Sequence, residues 1–74
     1  MGETELLAAM KQVEDKAHEF MRRYDAEGPN GKALAAFSRV TKRFRALSRK
    51  RNIALADVWE ANDMMDTALK FLAQ

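Results

Sequence analysis

The sequence predicts an all-α chain, a small three-helix bundle expected to pair as a dimer. Three observations lead there. Thirteen alanines stand against four β-branched aliphatic residues, Val13, Val40, Ile53 and Val58, a balance that favours helix over strand. Apolar residues recur every three or four positions, and no alternating stretch is long enough for a strand. The one proline and two of the three glycines fall together in Gly28-Pro29-Asn30-Gly31, a single strong breaker.

The first helix is expected over 4–27. Leu6, Met10, Val13, Ala17, Phe20 and Tyr24 form its apolar stripe, one face of a 3.6-residue period. Thr4 is its expected cap, with Glu3 and Glu5 favourable near the positive end of the helix dipole. A second helix, over 31–50, carries Leu34, Phe37, Val40, Phe44 and Leu47. A third, over 53–73, carries Leu55, Val58, Asn62, Met65, Leu69 and Leu72. Charged residues 49–51 separate the last two without glycine or proline, so a helical hairpin with one long second helix is the alternative. A break with Asn52 as N-cap is preferred, because that residue caps well and ordinary helices average about 11–12 residues. The shared core should hold Met10, Val13, Phe20, Phe37, Val40, Phe44, Val58, Met65 and Leu69.

Length and composition bound the function. With 74 residues there is room for one domain, residues 1–74, at the small end of what folds alone. The absence of cysteine excludes a disulfide framework and thiolate zinc sites. No apolar run reaches membrane-spanning length and no signal peptide is apparent, which places the chain in the cytoplasm. Domains this small seldom gain more than about 3–5 kcal/mol from one core, so self-association is the expected remedy. The broad apolar arc of the third helix offers a surface for it: Trp59, Met64, Phe71 and Leu72. Asn62, set within the third stripe, is the residue type that fixes register between paired helices.

Charge is segregated along the chain. Residues 1–31 and 52–74 each sum to −3, whereas residues 32–51 sum to +8 without one acid. The bases are Lys32, Arg39, Lys42, Arg43, Arg45, Arg49, Lys50 and Arg51. At 100° per residue, Arg39, Lys42 and Arg49 lie nearly opposite the apolar stripe, with Arg43 and Arg45 on its flanks. Arg39/Arg43 and Arg45/Arg49 are like-charge pairs four residues apart, each mildly destabilising. Acids on neighbouring helices (Asp15, Glu19, Asp57, Glu60 and Asp63) can neutralise the flanks. All eight bases are nonetheless expected to meet an external polyanion, most simply nucleic-acid phosphates, with the outward ones best placed for it. An adaptor or inhibitor that sets the same face on an acidic protein is the alternative. Small, basic, all-helical chains of this kind are frequent among plasmid- and phage-borne regulators.

Catalysis is not expected. His18 has no serine, cysteine or second histidine to work with. Asp57, Glu60, Asp63 and Asp66 drift across a polar face and lack the Glu-x-x-His pairing of a di-metal site, so no metal or cofactor is expected. The segment from Phe44 to Val58, with Leu55-Ala56-Asp57-Val58 at its end, resembles the opening of Cro/repressor-class helix-turn-helix domains. That resemblance implies a turn just after these residues and a base-reading helix beyond it. Trp59 and Asn62-Asp63 depart from the family's small residue and turn glycine, and no residue role is carried over from it.

Overall fold

The computed structural model describes residues 2–50 and 52–73. Three helices follow in order, α1 (Gly2–Glu27), α2 (Gly31–Ser48) and α3 (Leu55–Ala73). The three-helix arrangement replaces the hairpin alternative: residues 49–54 separate α2 from α3, with Arg51 outside the described residues.

Each boundary has a local cause. Gly28 ends α1 at a φ of +93°, while its N–H still donates to the Tyr24 carbonyl at 3.0 Å. That left-handed geometry is open to glycine at little cost. Asn30 caps α2, its Oδ1 accepting from the Ala33 N–H at 3.1 Å. At the far end the last turn tightens, with Arg49 N–H donating to Ala46 O and Lys50 N–H to Leu47 O. Two expected caps are corrected. Helix α1 begins at Gly2, so Thr4 lies within its first turn. Helix α3 begins at Leu55, beyond the reach of Asn52, and the Ala54 carbonyl receives its first N–H bonds, from Asp57 and Val58.

Asn30 does a second job. Its Nδ2 donates to the Phe71 carbonyl at 3.0 Å, tying the start of α2 to the end of α3. Asn30→Ala loses both contacts and is expected to cost about 1–2 kcal/mol. Asn30→Asp retains the acceptor for Ala33 but not the donor to Phe71, and should recover part of that loss in thermal melts. Equal melting temperatures for parent and Asn30→Ala would show that neither contact contributes.

Helices α1 and α2 both pack along α3 and only slightly on each other. α3 is therefore the spine, roughly parallel to α1 and antiparallel to α2. Near the 28–30 turn the core gathers Phe20, Ala33, Val40, Met65, Ala68 and Leu72. At the other end it gathers Ala9, Val13, Leu47, Val58 and Ala61. Phe20 joins α1 to α2 by stacking on Phe37, ring centroids 4.3 Å apart.

Of the expected core, Val13, Phe20, Val40, Val58 and Met65 are buried. Met10, Phe37, Phe44 and Leu69 are only partly covered. For Met10, Phe37 and Phe44 the reason is the thin contact between α1 and α2, which leaves side chains on their facing flanks partly open to water.

Candidate functional site

The basic segment divides according to what its side chains face. Arg43 turns toward α3, its Nη2 lying 3.6 Å from Asp57 and 3.4 Å from Glu60. Lys50 reaches Asp57 at 3.9 Å. These two bases meet neighbouring acids within the fold. Arg39, Lys42 and Arg49 are exposed on the opposite side of α2, with no ion pair among the described residues. Lys32 is likewise exposed at the start of the helix, and Arg45 is exposed on its other flank.

The local sequence produces this division. Val40 and Leu47 are buried seven residues apart and fix which side of α2 meets α3. Arg43, three residues after Val40, falls at the edge of that contact. Arg39, Lys42 and Arg49 fall beyond it, interleaved with exposed Ala35, Ser38 and Ala46. The outer surface of α2 is therefore positive and low in relief.

The other acids named as flank partners are engaged elsewhere or stand clear. Asp15 pairs with Lys11 and Glu19 with Arg22, both along α1. No ion pair of Asp63 occurs among the described residues. A contact not foreseen is Lys16 to Asp66 at 2.7 Å, which joins α1 to α3.

The five residues expected for self-association do not form one open face. Asn62 and Leu72 are buried within the monomer. Met64 and Phe71 pack as partly buried side chains against the core. Trp59 alone of the five is largely open, at 41% exposure. With only two neighbours to cover it, α3 still covers its apolar arc apart from Trp59, wholly at Leu72 and in part at Met64 and Phe71, because it lies between both. Among the described residues Asn62 Oδ1 is buried without a hydrogen-bond partner, as is Arg43 Nε.

The feature that periodicity did not reveal is an apolar groove of about 490 Å³ between α1 and α2. Val13, Val40 and Met65 line its depth, with Met21, Phe37 and Phe44 beside them. Glu14 and His18 stand on the α1 rim, and Thr41 and Arg45 on the α2 rim. A signal was present: Leu7, Glu14 and Met21 recur every seven residues, as do Leu34, Thr41 and Ser48. Each series traces a line beside its stripe, on which Leu7, Met21 and Leu34 extend the apolar surface and Glu14 and Thr41 edge the groove.

Helix α3 runs unbroken through Asn62-Asp63. The turn implied by the helix-turn-helix resemblance is therefore absent, and the segment from Leu55 onward enters no separate recognition helix. No group of three or more potential metal-ligating side chains occurs among the described residues. No helix there is long and apolar enough to cross a membrane. Comparison with protein-family models, curated proteins and solved structures returns no match.

Proposed function

We propose that this chain is a non-enzymatic binding protein whose α2 lays its outer basic surface on nucleic-acid phosphates. One observation carries the reading: Arg39, Lys42 and Arg49 are exposed without an acid partner among the described residues, while Arg43 and Lys50 are turned to the acids of α3. Internal neutralisation accounts for Arg43 and Lys50 and leaves the outward bases for an external anion.

The spacing suits a phosphate backbone. From Arg39 to Arg49 the helix advances about 15 Å at 1.5 Å per residue. A duplex offers on the order of nine phosphates over that length, at one charge per about 1.7 Å. Small side chains between the bases favour backbone contact over base reading. Trp59 lies on acidic α3, away from this surface, which argues against base stacking as the main contribution.

Arg39→Glu/Lys42→Glu/Arg49→Glu tests the proposal. All three positions are exposed, so the variant should retain the parent's helical circular dichroism and melting cooperativity. The parent should bind duplex DNA with a log–log salt slope of about −3, as three to four neutralised phosphates require, or near −2 to −3 on single strands. The triple variant should bind at least about 100-fold more weakly at low salt. A folded triple variant that binds as the parent does would overturn the assignment. A parent that binds neither DNA nor RNA at low salt would transfer the same surface to an acidic protein partner.

A further inference from the structure

We infer that the groove between α1 and α2 is closed by a second copy of this chain, forming a two-fold four-helix layer in which α1 lies against the partner's α2. The inference is independent of what the outer face of α2 binds. It rests on an apolar surface left open by the fold and on the charges that border it.

The groove exposes apolar area that the monomer does not cover. Met21 lines it at 54% exposure, and beyond the lining Leu7 on α1 (66% exposed) and Leu34 on α2 (48% exposed) extend the open apolar surface. Leu7, Glu14 and Met21 follow one line along α1, while Leu34 and Thr41 follow one along α2. Between the two lines lie the partly covered Phe37 and Phe44. Isolated apolar residues are normal on a surface, but a continuous strip with polar rims marks an interaction site.

Charge selects the occupant and its orientation. The α1 rim presents Glu14 and the α2 rim presents Arg45, both exposed and both lining the same groove. Arg45 is the one α2 base among the residues that line the groove, and Glu14 the one acid. A two-fold axis along the helices places α1 over the partner's α2 at the same height. Glu14 then faces the partner's Arg45, twice. An axis across the helices would stack α1 on α1 and α2 on α2, which leaves Glu14 without an Arg45 opposite it. The surface is thus complementary to itself in one of its two face-to-face arrangements, as an isologous contact requires.

Area is sufficient. The Cα trace spans 40 × 18 × 15 Å, so a contact over the whole of one lateral face covers roughly 1,200–1,400 Å², at the lower end of the ~1,200–2,000 Å² of specific interfaces. Arg39, Lys42 and Arg49 lie on the other side of α2 and remain outside the contact.

Light scattering at about 50 μM, without nucleic acid, should return twice the 8.4 kDa chain mass. Met21→Glu should return the monomer mass with its helical spectrum intact, because Met21 is exposed within the single chain. Leu7→Glu, on the same line, is the second variant should Met21→Glu unfold. Glu14→Arg and Arg45→Glu should each weaken pairing about ten-fold or more, since each homodimer then sets like charges together. Mixed, the two variants should pair with each other, because both cross-contacts become Arg against Glu. A parent that stays monomeric at about 100 μM, folded Met21→Glu or Leu7→Glu that still dimerises, or single charge variants that pair as the parent does would each overturn the inference.

Discussion

Phe20→Ala is expected to remove most of the stability of the domain. Phe20 is 1% exposed and is the largest fully buried side chain of the core. It stacks on Phe37 at 4.3 Å and on Tyr24 at 5.9 Å, so it links α1 to α2 where those helices otherwise barely meet. Truncating a buried phenylalanine costs about 3–5 kcal/mol. A chain of 74 residues has about 4–11 kcal/mol in all, at 0.05–0.15 kcal/mol per residue. The melting temperature should therefore drop by about 12–40 °C, at 4–8 °C per kcal/mol, or the cooperative transition should vanish. Phe44→Ala is the informative comparison. Phe44 shares the apolar stripe of α2 but forms a wall of the groove and is only partly buried in the single chain. Measured on dilute monomer, its loss should be about half that of Phe20→Ala or less, because less area returns to water. Equal losses would show that the burial order of the two rings is wrong.

The contrast between these rings also marks how far the sequence could be read. Periodicity placed the helices well because it reports which residues share a face. The single Gly/Pro cluster set the first boundary because Gly28 takes a positive φ. Periodicity does not report which neighbour covers a face, or how completely. Phe20 and Phe44 look alike in the sequence; only the spine position of α3 makes one of them interior and the other a groove wall. For the same reason Asn62 and Leu72, read as contacts between copies, are buried within the single chain, because α3 receives neighbours on two sides. The basic residues were more legible. Val40 and Leu47 orient α2, and the positions of Arg39, Lys42 and Arg49 then follow from rotation alone. Which bases meet acids depended on the neighbours again: of the five expected acids, Asp57 and Glu60 reach α2.

Alanine is the residue that apolar stripes undervalue, and Ala61→Leu should show it. Ala33, Ala61 and Ala68 have 0% exposure, so no space surrounds their methyl groups. Ala61 belongs to the cluster of Ala9, Val13, Leu47 and Val58. A small side chain there lets α3 approach its neighbours closely. Leucine has nearly the helix propensity of alanine, so Ala61→Leu leaves α3 intrinsically as helical as before. What it adds is three carbon atoms where interhelical contact is closed. Overpacking of a filled core typically costs about 1–3 kcal/mol. The full closure at Ala61 puts the expectation at the upper end, a fall of roughly 10–25 °C in melting temperature. Ala35→Leu supplies the control, since Ala35 is exposed on α2 and the same enlargement should stay within about 0.5 kcal/mol. If the two substitutions prove equally harmless, α3 does not lie against its neighbours at Ala61, and its place as the spine between α1 and α2 is wrong.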